Sequence, residues 1–276
     1  MADARGHFHW TFGAWDKNGS PLWSPDGRHI AYRGTATNGH NGLDVARPDG
    51  SHDHRLLTCD LDYCDPYPSW SADGRRLAFA DGSDPSRPVR IVSTLADGSD
   101  RHLLVADAYQ AAYSPKEPKL AYAAPSGSSR SSLFVANADG TDPHAITPPP
   151  AGDVAWLVWS PDGRFLAFFA WSPSGEGEGE IVVVRADGTG EPVVIASHVP
   201  LDTYLRAGFM AWSPGGKLIA FTRHRSLVVA STDGGKERIV ASHVGNVGFT
   251  SDGVSFQAWR PAVALPAAKR ATCPRR

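Results

Sequence analysis

WSPDGRHIAY, residues 23–32, returns along the chain as WSADGRRLAF from Trp70, YSPKEPKLAY from Tyr113, WSPDGRFLAF from Trp159 and WSPGGKLIAF from Trp212. A degraded sixth copy, FTSDGVSFQA, begins at Phe249. Successive starts lie 47, 43, 46, 53 and 37 residues apart, a period that indicates propeller blades or a similar array. A second phrase follows each of the first five copies: Pro48-Asp49-Gly50, Ala96-Asp97-Gly98, Ala138-Asp139-Gly140, Ala186-Asp187-Gly188 and Thr232-Asp233-Gly234.

Asp-Gly between two β-rich runs signals a hairpin turn. Trp-Ser therefore ends an incoming strand, and Ile30-Ala31-Tyr32 or Leu77-Ala78-Phe79 belongs to the next. Side chains alternate across a strand, so the large residues share one face and the central Ala takes the other. Stacked sheets can then interlock, small against large. Third strands follow at Leu43 to Val45, Val89 to Val92, Leu133 to Val135, Ile181 to Val184 and Leu227 to Val229, and the second phrase turns into a fourth. The pattern predicts an all-β, six-bladed β-propeller of four-stranded antiparallel blades over residues 1–265, with a Pro/Ala/basic tail at 266–276. Blade 6 shows two clear strands, Val247 to Thr250 and Val254 to Ala258. A hybrid N-/C-terminal blade is expected to complete it, with Ala262 to Leu265 third and His7 to Phe12 outermost, removing the open sheet edges. Blade 3 carries Lys116-Glu117-Pro118 in place of Asp-Gly, and Pro118 lacks a donor, so its turn should differ locally.

Composition narrows the function classes. The 27 basic and 29 acidic residues nearly balance, which argues against a nucleic-acid surface. The 28 glycines and 22 prolines punctuate the chain too often for long helices. No apolar run approaches the ~20 residues of a membrane span, and MADARGHFHW has no apolar signal core. A cytoplasmic chain is expected as written, or else the mature part of an exported protein, in either case as a monomer. Cys59 and Cys64 share a short loop whose spacing permits a local disulfide, and two cysteines without a second pair make a poor zinc site.

The paired WSPDG…IAF and ADGT phrases closely resemble the propeller repeats of the TolB family, which also occur in the propeller domains of prolyl-oligopeptidase-type peptidases. The resemblance covers nearly the whole chain and implies a six-bladed propeller. It implies no catalytic motif, because the matched residues are turn and packing positions. Neither TolB's additional α/β domain nor the peptidases' hydrolase domain is expected here.

Every Asp-Gly turn falls on one rim of such a propeller. The second-to-third-strand loops and the blade-to-blade connections fall on the other. Repetitive turns read as structure, whereas variable loops carry function, so recognition is expected at the loop-rich mouth of a central channel. The connections bring polar and aromatic residues there. Trp15, Asp62, Tyr63, Tyr109, Gln110 and Asn246 are the expected ligand contacts. His198 and His243 are candidate general bases and Tyr204 a candidate acid, with Asp202 orienting a histidine and Arg206 holding an anionic group. Asp60, Asp107 and Asp153 are candidate ligands for a divalent cation, which favours carboxylate oxygens. The main expectation is a binding scaffold for a small molecule, peptide or protein, with no cofactor, no nucleic acid and no membrane span. The alternative is a small-molecule lyase, cyclase or hydrolase at the same mouth, in one variant with a divalent cation in the channel. Plain structural roles compete throughout: Asp and Ser satisfy loop backbone groups, and the recurrence of Ser197-His198-Val199 at Ser242-His243-Val244 follows from blade homology. His7 and His9 on one strand face, and the Glu176 to Glu180 run, read as solvated segments before they read as metal sites.

Overall fold

A Ser hydroxyl and an Asp carboxylate clamp the first hairpin of each regular repeat. In the computed structural model, which describes residues 21–35, 41–59, 67–84, 86–126, 130–146, 153–171, 177–200, 210–224 and 226–242, Ser24 Oγ donates to Asp26 Oδ1 at 2.6 Å and accepts from the His29 amide at 2.9 Å. The Arg28 amide donates to the same Asp26 oxygen, and Gly27 closes the turn at φ +70°, a conformation that only glycine adopts without strain. Ser71 with Asp73 and Ser160 with Asp162 repeat the arrangement.

Blade 3 departs as its sequence requires. The outer Ser114–Lys119 backbone bond survives at 2.9 Å, but Ser114 Oγ now accepts from the Lys116 and Glu117 amides. The Lys119 amide turns to the Glu117 carbonyl, and Glu117 does not enter the left-handed region that Gly27 occupies.

The strands so joined form five four-stranded antiparallel sheets, each in sequential order. Blade 1 holds β1 (Leu22–Trp23), β2 (Ile30–Thr35), β3 (Asn41–Ala46) and β4 (His54–Cys59). Blade 2 holds β5 (Ser69–Trp70), β6 (Arg76–Asp81), β7 (Arg90–Leu95) and β8 (His102–Val105). Blade 3 holds β9 (Gln110–Tyr113), β10 (Lys119–Ser126), β11 (Arg130–Asn137) and β12 (His144–Ala145). Blade 4 holds β13 (Val154–Trp159), β14 (Phe165–Trp171), β15 (Glu178–Arg185) and β16 (Val193–Pro200). Blade 5 holds β17 (Met210–Trp212), β18 (Leu218–Arg223), β19 (Ser226–Ser231) and β20 (Glu237–Ala241). No helix occurs among the described residues, and none there is long and apolar enough to cross a membrane. The sixth copy, the expected closing strands, Cys64 and the 266–276 tail lie outside the described residues.

The alternation read from the repeat builds the core. Ala31, Leu43 and Val45 of blade 1 pack against Trp70, Leu77 and Phe79 of blade 2. Ala78 and Ala80 of blade 2 meet Tyr113, Leu120 and Tyr122 of blade 3, and Ala121 and Ala123 meet Trp159, Leu166 and Phe168. Ala167 faces Trp212, Ile219 and Phe221 in the same way. The first strands of blades 2 to 5 lie in turn against one another, so the fourth strands of these blades are the outer edges.

Three of the four phrase tryptophans also make the same polar contact. The Trp70, Trp159 and Trp212 indoles are buried and donate to the carbonyls of Leu22, Ala112 and Val158, at 3.2, 2.9 and 3.3 Å. Each acceptor is the residue just before the phrase aromatic of the preceding blade. Trp23 differs: the shared phrase predicts the same burial for it, yet it is 44% exposed.

Blades 1 and 2 share a charged tie. Arg101 lies over the Phe79 ring and donates to the Leu56 carbonyl and to Asp81, which is buried and also accepts from Arg90 and Ser83. Burial alone would raise the Asp81 carboxyl. The Ser83 and Arg90 hydrogen bonds and the Arg101 charge outweigh it and hold the group down at about 2.

Two outcomes are expected. Trp159→Ala should lose roughly 3–5 kcal/mol in a urea titration, and Trp23→Ala markedly less. The depressed Asp81 group contributes stability that is complete above the ordinary carboxylate range and is lost as pH falls towards about 2. Asp81→Asn should therefore flatten the acid limb of a stability–pH profile, while wild type declines along it.

Candidate binding rim

The rim opposite the Asp-Gly turns holds the features that do not repeat. At the passage from blade 2 to blade 3, Asp107 is exposed at φ +50° and Tyr109 is 46% exposed. Partial burial raises the Tyr109 hydroxyl pKa, and the negative charges of Asp107 and Asp153 raise it further. Three expected site residues thus share one electrostatic neighbourhood, although they come from two different connections.

Two of the expected site residues have structural duties. Gln110 is buried in β9, where Oε1 accepts from the Leu157 amide of β13 at 3.4 Å. Asp153 is exposed, yet Oδ1 accepts from the Ser131 amide at 3.0 Å and its carbonyl accepts from the Trp171 amide. Among the described residues no three His, Cys, Asp or Glu side chains gather as a metal site. Asp60 lies outside those residues, so the expected carboxylate set is visible only at Asp107 and Asp153.

His198 stands elsewhere. Expected on the connection that follows blade 4, it lies within β16, the outer edge strand of that blade. Its exposed ring places Nδ1 3.0 Å from Glu178 Oε2, and its φ is +54°. Trp15, Asp62, Tyr63, Asp202, Tyr204, Arg206, His243 and Asn246 lie outside the described residues.

An aromatic cluster on blade 4 was not expected from the sequence. Trp156 stacks on Trp171 at 6.2 Å, and Phe169 meets both rings edge-on at 5.3 and 5.8 Å. Phe169 is buried, Trp156 half-buried and Trp171 36% exposed, so the cluster has a rooted base and an open face. A bulge produces it: the β13–β14 register breaks between Ala155 and Val158, and Trp156 sits at φ +50°. A bulky side chain there costs about 1–3 kcal/mol, a strain that clusters at functional sites. Bulges likewise re-aim side chains beside such sites. The signal was present in the repeat: Phe169 and Trp171 stand where the other copies have Arg33 and Thr35, Ala80 and Gly82, Ala123 and Pro125, or Thr222 and His224.

Similarity to known proteins lies in the backbone more than in the sequence. No family model and no curated protein matches the chain. Solved structures do. TolB from Acinetobacter baumannii superimposes with a TM-score of 0.65 at 19% identity, covering 90% of this chain and 60% of that one. The fold is that of a TolB-like β-propeller. A TolB-type structure from Agrobacterium tumefaciens gives a TM-score of 0.61 at 20% identity, covering 85% of this chain and 84% of that one. An oligogalacturonate lyase in complex with manganese gives 0.58 at 14% identity, covering 87% and 69%. The chain thus spans less than two thirds of the Acinetobacter TolB.

The electrostatics can be checked directly. Asp107→Asn should lower the Tyr109 phenol pKa towards its ordinary value, read from tyrosine ring carbon shifts in an alkaline NMR titration. Trp171→Ala should barely shift the melting temperature, whereas Phe169→Ala, at a fully buried site, should cost about 3–5 kcal/mol.

Proposed function

We propose that this chain is a binding scaffold that captures a small molecule, peptide or protein at the loop-rich mouth of a six-bladed propeller. The observation that carries this reading is the strained, partly open Trp156–Trp171 pair on a rim whose counterpart is repetitive. Flat amphipathic rings offer large contact area at little entropic loss, as binding surfaces require. The likeness to TolB structures supports the same reading at the level of fold. Tyr109 and Asp107 supply polar contacts, and Tyr63, Asp62, Asn246 and Trp15 are assigned to the same mouth. The sixth blade is inferred from the sixth copy of the repeat at Phe249, with 247–265 and 7–12 as its strands.

A second reading has one finding in its favour, the likeness to an oligogalacturonate lyase in complex with manganese. On that reading His198 or His243 acts as base and Tyr204 as acid, with Asp202 and Arg206 in support. Asp60, Asp107 and Asp153 would hold a divalent cation, and the placement of His198 on the outer strand shifts the role of base to His243.

Screening the chain against peptide and glycan arrays tests both. Ligands captured by wild type should be lost in Trp156→Ala/Trp171→Ala and Tyr109→Ala variants and retained in Asp97→Ala and Asp233→Ala, on the opposite rim. Capture unaffected by the first set overturns the scaffold reading at this mouth. Full turnover of any substrate found, in a His198→Ala/His243→Ala double variant, removes the enzyme reading.

A further inference from the structure

The Asp-Gly rim departs from its usual chemistry between blades 2 and 3. In blades 2 and 4 the turn glycine nests on the turn of the preceding blade. A Cβ on Gly74 would lie 2.8 Å from the Asp26 carboxyl carbon, and one on Gly163 would lie 3.0 Å from Ser114 Oγ. Blade 3 has Glu117 at the glycine position and Pro118 after it, so its turn cannot seat on blade 2 in this way. A cavity of about 470 Å³ lies there, between Ser71 to Asp73 on one side and Ser114 to Pro118 on the other. That volume falls in the range of small-molecule sites, about 300–1,000 Å³.

Its lining decides what would fit. Ala72, Tyr113, Pro118 and Ala138 make the walls mainly apolar. Arg76 lines the cavity but is already engaged: it donates to Asp100 Oδ2 at 2.7 Å, the Asp100 carbonyl at 2.8 Å, His102 Nδ1 at 3.1 Å and Ser93 Oγ at 3.0 Å. Lys116 and Glu117 have no side-chain partner among the described residues, and Asp73 and Asp139 each use Oδ1 in their own turns. Three carboxylates therefore face one uncommitted ammonium around an apolar slot.

We propose that this cavity is a second binding site, separate from the loop-rich mouth, for a small amphipathic amine whose apolar body enters between blades 2 and 3 and whose ammonium group meets the carboxylates. The cavity makes the site, and the carboxylates set only the sign of the charge it selects. The inference does not depend on the function proposed above, since no residue is shared between the two rims.

A charge series tests it on the full chain. Ligand-observed NMR titrations would compare phenethylamine with phenethyl alcohol and phenylacetate, which share the ring and differ in charge. Saturable millimolar binding of the amine is expected, about fivefold tighter than the alcohol, with the acid weakest. Glu117→Gln should narrow the series, and Ala72→Phe should abolish binding of the amine by filling the slot. Both positions are exposed, so melting temperatures should stay near wild type. Phenylacetate binding as tightly as the amine, no saturable amine binding, or amine binding unchanged in both folded variants would overturn the proposal.

Discussion

The contact on which the blade stack depends is the indole N–H of one repeat donating to a first-strand carbonyl of the repeat before it. A large aromatic body excludes water between the sheets, and its single polar atom satisfies a backbone acceptor that the interface would otherwise bury unpaired. Trp70, Trp159 and Trp212 each do both at once. Geometry then passes from blade to blade, because the acceptor lies beside the next aromatic. The small central Ala of each repeat is the complement of that bulk. Enlarging it would force the sheets apart, as shortening the Trp would leave a void.

Blade 3 adapts to a change in one of these partners. Tyr113 has no ring N–H, so its hydroxyl donates instead to Ser93 Oγ of blade 2, and its amide donates to Ser69 Oγ. The interface is held by different atoms at nearly the same place. Together with the Lys116-Glu117-Pro118 turn, this leaves the cavity between blades 2 and 3 where neighbouring interfaces close glycine on turn. A departure from the repeat at the level of residues becomes a distinct surface at the level of packing.

The two rims divide labour for a topological reason. Antiparallel four-stranded blades put both short hairpins at one end, where an Asp carboxylate and a left-handed glycine recur with little variation. Length varies most at the other end. There the bulged Trp156, the stacked Trp171 and the charge-perturbed Tyr109 occur once each. Strain at Trp156 is tolerated because Phe169 and the core between blades 4 and 5 hold it from below.

The sequence by itself determined the strands, the turns and the face each residue presents, because hairpin chemistry and two-residue alternation act over a few neighbouring positions. The altered blade 3 turn was legible for the same reason, since Pro118 and Glu117 exclude the glycine geometry locally. Tyr109, Asp107 and Asp153 were also legible as residues of the blade connections, since topology assigns each connection to an end. Only the tertiary structure decided that Gln110 and Asp153 brace the backbone, that β16 extends through His198 and carries it to the outer edge, and that Trp23 stays open. It alone brought Trp156 over Phe169 and Trp171. Those outcomes depend on a bulge, a strand length and the packing of one sheet on the next, and such contacts between distant residues leave no period in the chain.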